Sequence, residues 1–197
     1  MDPITSSHFS IEQIEEASVR GDTTIASKDG TIISIDRVAP DLALTTFAAL
    51  QIDIAQEVQL LPTPLGEGAF AVVYEGVYKQ DKVAVKRLLR CSTPEQQKRV
   101  FSEFRREVLT MSQLSHPNIV NLKGFSNQPP FSMVMELVPH GTLYEFLRRP
   151  DPIPWNLRIR IAYDIASAMH FLHSADPPLI HKDLKSPNIL MAGTKYD

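Results

Sequence analysis

The chain has 197 residues, 43% of them hydrophobic and 22% charged, with a net charge of -3. That composition belongs to a globular protein with one good core or two small ones, and it gives no general pull toward nucleic acid or a membrane surface. No apolar run approaches the roughly 20 residues that span a bilayer. The opening Met1-Asp2-Pro3-Ile4-Thr5 lacks the basic and apolar parts of a secretory signal, and the single cysteine, Cys91, excludes a disulfide within the chain. A cytoplasmic setting is expected.

Charge is unevenly spread. Residues 1–60 hold three basic and ten acidic side chains, residues 61–197 seventeen and thirteen. A change of sign points to two units. The basic excess of the second suits a polyanionic ligand as well as it suits an ordinary surface. In chain order, Ser10 and Gln13 form a capping-box pattern for a helix over 11–20 that Gly21 stops. Lys28-Asp29-Gly30 reads as a turn between Thr23–Ala26 and Thr31–Ile35. Residues 41–60 show no clear period and read as a connector. Val58–Leu65, Ala71–Tyr78 and Lys82–Leu88 are β-prone and predict a three-stranded meander. Thr93, Pro94 and Gln96 then open a helix to about Leu114, with Val100, Phe104, Val108 and Met111 as its buried stripe. Cys91 precedes it in a loop-like Cys-Ser-Thr-Pro context and reads as incidental. Ile119–Gly124 and Phe131–Glu136 predict two more strands. Thr142 and Glu145 cap a short helix, and Trp155–His173 is a long amphipathic one with Leu157, Ile161, Ile165, Met169 and Leu172 on its core side. A polar loop, Ile180 to Asn188, follows.

Four places carry chemistry. Gly66 and Gly68, within Leu65-Gly66-Glu67-Gly68-Ala69-Phe70-Ala71-Val72-Val73, let a hairpin turn bring backbone N–H groups close to phosphate oxygens, although two glycines there can equally be just a turn. Lys86 lies in the apolar strand Val83-Ala84-Val85-Lys86. Aimed inward it needs an anion to offset desolvation, while at an edge its ammonium would reach water. Glu107, or Glu103 one turn earlier, is a carboxylate on the long helix that could pair with Lys86 or stay at the surface. The strongest pattern is His181-Lys182-Asp183-Leu184-Lys185-Ser186-Pro187-Asn188. Its carboxylate can orient a hydroxyl and take its proton, its ammonium can neutralise a phosphoryl group, and its amide oxygen can ligate magnesium.

Taken in order and spacing, Gly66-x-Gly68, Val-Ala-Val-Lys86, Glu107 and His181-x-Asp183-x-Lys185-x-x-Asn188 resemble the signature set of eukaryotic-type protein kinases, from about residue 58 onward. The resemblance implies an α+β fold: an N-terminal lobe (58–137) of five antiparallel strands and one long helix, then only the start of a helical C-terminal lobe (138–197). Residues 1–57 would be an extension or the tail of a preceding domain. ATP and Mg2+ are the implied cofactors, and a protein serine or threonine the acceptor, with neither nucleic acid nor membrane insertion involved. By resemblance, Leu65–Val73 covers the phosphates, and Val72 and Ala84 lie above the adenine with Leu190 below. Lys86 holds the α- and β-phosphates and pairs with Glu107. Met135 is the gatekeeper, and Glu136, Leu137 and Val138 form the hinge. Asp183 is the catalytic base, Lys185 the γ-phosphate contact and Asn188 a magnesium ligand. His181 and Met111 belong to an apolar stack between the lobes. Asp-Leu-Lys is typical of serine/threonine kinases. Met135-Glu-Leu-Val-Pro-His-Gly-Thr-Leu143 and Asp183–Leu190 are similar to the tyrosine-kinase-like group, and Val38–Leu44 resembles the stretch before the kinase in Roco-type kinases.

Three departures stand out. Ala71 occupies the third glycine position. Lys182 replaces the arginine before the aspartate and lacks its two-pronged contact, which puts regulation by a phosphorylated activation loop in doubt. No Asp-Phe-Gly follows Asn188, so the chain is expected to be incomplete, to transfer phosphate negligibly by itself and to leave apolar surface on the Trp155–His173 helix uncovered. A non-catalytic lobe that binds nucleotide or a partner is the alternative.

Overall fold

The structure, a computed structural model, describes residues 24–26, 30, 32–34 and 48–193. The helix expected over 11–20 lies outside them. The expected N-terminal hairpin forms: β1 (Thr24–Ala26) pairs antiparallel with β2 (Ile32–Ser34). Gly30, between them, sits at φ +83°, a left-handed conformation open to glycine without steric cost.

Five further strands make one antiparallel sheet: β3 (Val58–Glu67), β4 (Ala71–Tyr78), β5 (Asp81–Leu88), β6 (Leu122–Ser126) and β7 (Ser132–Glu136), in the order β3-β4-β5-β7-β6. The expected meander is present, with β3 running two residues further into the glycine-rich segment. Asp81, expected in a turn, pairs instead with Tyr78, which leaves the two-residue connection Lys79-Gln80. Both of these residues have positive φ, +48° and +71°, as a tight hairpin turn of matching twist requires.

Register decides what faces what. Val73 pairs with Lys86 and Glu75 with Ala84, and across the next ladder Lys86 pairs with Met133 and Ala84 with Met135. Paired residues project from the same face. Val73, Ala84, Lys86, Met133 and Met135 therefore share one face, while Val83, Val85 and Val134 point to the other and are fully buried there.

A long helix, α2 (Pro94–Ser112), packs against the Lys86 face; the short α1 (Ile54–Glu57) precedes β3. Thr93 Oγ1 accepts from Gln96 N at 3.2 Å, with Pro94 at the first helical position. The reach-back expected of Gln96 comes from Gln97, whose Oε1 accepts from Cys91 N at 3.0 Å. Val100, Phe104 and Val108 are buried, and the last two join Leu122, Phe125 and Met133 in one core cluster. Burying one such side chain contributes about 1.5–3 kcal/mol, so this stripe seats the helix.

The stretch before β3, expected as a connector, is built into the core from residue 48. It wraps the free edge of β6: Gln51 makes a parallel bridge to Phe125, and Ile52 N donates to Phe125 O at 2.8 Å. Leu50 packs with the α2 cluster, whereas Ile52 and Ile54 join Val83, Val85 and Val134 on the opposite face. Covering an edge strand removes a template for mispairing.

Beyond the sheet, α3 (Leu143–Phe146) starts at the expected capping box, with Thr142 Oγ1 accepting from Glu145 N and Glu145 Oε2 accepting from Thr142 N. Helix α4 (Trp155–His173) has the expected bounds. Leu157 and Leu172 are buried, and Ile161 and Ile165 pack with Leu143, Phe146 and Met191. On another side Trp155, Ile159 and Tyr163, spaced one helical turn apart, are 76%, 64% and 67% exposed. His116, just past α2, joins the two parts: its Nε2 lies 3.3 Å from Ser167 Oγ, and its ring stacks on Phe171 with centroids 5.0 Å apart.

Candidate active site

The glycine-rich turn sits between β3 and β4. Gly68 N donates to Ala71 O at 2.8 Å, and Leu89 N donates to Phe70 O at 2.9 Å, tying the turn to the end of β5. The fold itself does not demand the two glycines. Neither has a left-handed φ, a Cβ on Gly66 would meet nothing within 4 Å, and one on Gly68 would meet only the Ala71 carbonyl at 3.6 Å. What their bareness provides is room for another molecule to approach the backbone closely. Leu65, Glu67, Ala69 and Phe70 around them are exposed.

Lys86 and Glu107 meet. Lys86 Nζ donates to Glu107 Oε1 at 2.7 Å and to Oε2 at 2.6 Å, with the side chains 27% and 40% exposed. Glu103 instead lies 3.9 Å from Arg99 along the exposed side of the helix. The choice follows from periodicity: Phe104 and Val108 face the sheet, and Glu107 lies beside them while Glu103 turns outward. The ammonium is thus held on the shared face beside Val73 and Ala84, with Met135 next to Ala84. At the strand's end, Glu136 N donates to Asn121 O, and Glu136 Oε1 accepts from Asn121 N, both at 3.0 Å. This fixes the start of the half-buried run through Val138.

The polar loop is knit locally. Lys185 Nζ lies 2.9 Å from Asp183 Oδ1, and Asn188 Nδ2 donates to Asp183 Oδ2 at 2.7 Å and to Asp183 O at 2.9 Å. The Lys185 hydrogen bond first, and the Asn188 amide second, hold the Asp183 carboxyl below the usual carboxylate range. Lys182 occupies the left-handed region at φ +64°, which costs a non-glycine residue about 1–3 kcal/mol. The loop is anchored behind: Leu143 N donates to Ile189 O, Met191 N to Gly141 O and His140 N to Met191 O, with Leu190 bridged to Thr142.

Two expectations need correcting. Val72 pairs with Arg87 and is buried on the face opposite Lys86, so it cannot flank a ligand beside Ala84; Val73 holds that position. The sequence run offers two adjacent valines, and register alone separates them. His181 is exposed, with Nδ1 accepting from Asp183 N at 3.3 Å, so it serves the loop and not an apolar stack. Met111 does pack against the α2 core. The His116 joint and the packed strap before β3 were not foreseen. Isolated apolar residues in Leu50-Gln51-Ile52-Asp53-Ile54 were the available signal.

A sheet of this order, a glycine-lined turn, a strand lysine clamped by a helix carboxylate and an Asp-x-Lys-x-x-Asn loop together define a protein-kinase type of fold. The profile described as protein tyrosine and serine/threonine kinase matches residues 60–196, and the chain belongs to that family. It is 38% identical over 187 residues to "Probable serine/threonine-protein kinase roco9" of Dictyostelium discoideum, covering 93% of this chain and 6% of that protein. It is 39% identical over 196 residues to "Probable serine/threonine-protein kinase pats1" of the same organism, covering 94% and 6%. A third relative there, "Probable serine/threonine-protein kinase roco6", is 47% identical over 135 residues, covering 66% and 6%. The chain thus spans about 6% of the length of these relatives.

Proposed function

We propose that this chain carries the ATP-binding part of a protein kinase domain, over residues 58–197, whose full-length protein transfers the γ-phosphoryl group of Mg-ATP to serine or threonine hydroxyls of proteins. The Lys86–Glu107 pair carries the reading: a half-buried ammonium is held in one direction by a carboxylate from a separate element, beside a turn whose glycines leave the backbone open to close approach.

The residues present fit a nucleoside triphosphate. The turn's N–H groups and Lys86 would neutralise phosphate oxygens, and Val73 and Ala84 would cover one face of the base with Leu190 on the other. Met135 would line the pocket beside the backbone of Glu136 and Val138. Asp183 would orient the acceptor hydroxyl and take its proton. Lys185 would offset charge on the transferring group. Bound magnesium supplies charge neutralisation, and Asn188, with Nδ2 committed to Asp183, has Oδ1 left for it. Among the described residues no group of three or more His, Cys, Asp or Glu converges on a metal site. Lys185 and the names of the relatives support serine/threonine specificity. No described helix is long and apolar enough to cross a membrane, and a cytoplasmic location suits the single cysteine.

The test is transfer from γ-labelled ATP in the full-length protein. Lys86→Met and Asp183→Asn are each expected to abolish it, while Glu103→Gln keeps most of it. Normal transfer by Asp183→Asn would sink the role given to that carboxylate.

A further inference from the structure

The strap before β3 touches both faces of the sheet, and on one of them it leans on the helix that carries Glu107. Leu50 packs against the cluster of Phe104, Val108, Leu122, Phe125 and Met133. Phe104 and Val108 flank Glu107 on α2. One residue beyond Gln51, Ile52 crosses to the other face and is 5% exposed. Its seat is Gly124. A Cβ there would overlap Ile52 Cδ1 and lie 2.6 Å from the Leu50 carbonyl oxygen. The φ of Gly124 is not left-handed, so close approach of the strap is what the glycine permits. The strap is also stiff. Asp53 Oδ1 accepts from Ala55 N at 3.0 Å and Gln56 N at 3.3 Å, and Asp53 N donates to Glu57 Oε1 at 2.8 Å, closing α1 directly before β3.

We propose that Leu50 and Ile52 are positioning residues for the Lys86–Glu107 pair, clipping the strap round the β6 edge so that α2 is held with Glu107 on the lysine. The consequence for catalysis rests on the kinase reading; the positioning does not. Any force on the segment before residue 48 that unclips the strap would then release Glu107, which makes this edge a control point for whatever precedes the sheet.

The test reads the pair itself. In the 197-residue chain, acylation of Lys86 by a small activated ester, followed by mass spectrometry, measures how well the ammonium is held. Leu50→Ala is expected to raise Lys86 labelling several-fold, as Glu107→Gln does. The double variant is expected to go no further than Glu107→Gln, and Leu50→Met to restore slow labelling. Exposed Lys79 and Lys82, on the β4–β5 hairpin that the proposal leaves undisturbed, stay unchanged as internal references. Gly124→Val, which evicts Ile52 without touching α2, should give the same Lys86 result, with faster amide hydrogen exchange confined to residues 48–57 and α2. Unchanged Lys86 labelling in both strap variants, additivity with Glu107→Gln, or exchange that rises equally through β4 and β5 would each overturn the proposal, the last by making the strap plain core. A chain that binds no ATP yet shows the expected labelling keeps the proposal and discards the catalytic reading.

Discussion

The two charged constellations of this domain are built in opposite ways. Lys86 and Glu107 come from a strand and a helix 21 positions apart, and their meeting depends on the core beneath α2. Asp183, Lys185 and Asn188 lie within six residues, are exposed, and hold one another through local bonds. The first pair is therefore only as good as the packing under it, whereas the second cluster keeps its internal geometry with little help. Local clusters can be read from sequence, and long-range pairs inherit every disturbance of the core.

Phe104→Ala should break the contrast most severely. The side chain is 2% exposed, and its loss is expected to cost about 3–5 kcal/mol, read as a lower denaturant midpoint by circular dichroism. Trp155 is too exposed to report on the core. In that variant the Lys86–Glu107 pair should loosen while the bonds around Asp183 persist. Thr142→Ala removes one side of the α3 capping box and should cost about 1 kcal/mol, with exchange rising at residues 189–191, whose backbone it helps to hold, and not at Lys86. Gln80→Gly relieves a left-handed non-glycine position and should stabilise by about 1 kcal/mol, raising the melting temperature without touching either site. The smallest effect is electrostatic. Lys185 is the largest cause of the depressed Asp183 pKa, so Lys185→Met should move the carboxylate titration upward, toward the ordinary range. Because the folded-state value lies below the unfolded one, the associated stability is present above the unfolded pKa and fades as pH falls through the folded value. The exposure of Asp183 keeps that change slight. A carboxyl 13C titration checks the shift.

Much of this was legible beforehand. Strand alternation, the Thr93 and Thr142 caps and the helical stripe through Phe104 each rest on interactions within a few residues, and the Asp183 loop is local by construction. Three features were not legible, because each depends on partners distant in sequence. Val72 and Val73 are equivalent until the β4–β5 register orients them. His116, just past the end of α2, has no visible partner until Ser167 and Phe171 arrive. Leu50, Ile52 and Ile54 alternate with polar residues like a short strand, but Leu50 packs on one face of the sheet and Ile52 and Ile54 on the other, so the spacing does not reveal where they dock.

The clip around β6 also sets a timetable for synthesis. Ile52 leaves the ribosome about 70 residues ahead of Phe125, its partner. At about 5–20 residues per second, the clip waits roughly 4–15 s for an edge that has not yet been translated. The β3–β5 meander can close during that interval, but the edge cannot. A nascent chain stalled between the two would present Leu50, Ile52 and Ile54 to the first chaperone or neighbouring polypeptide it met.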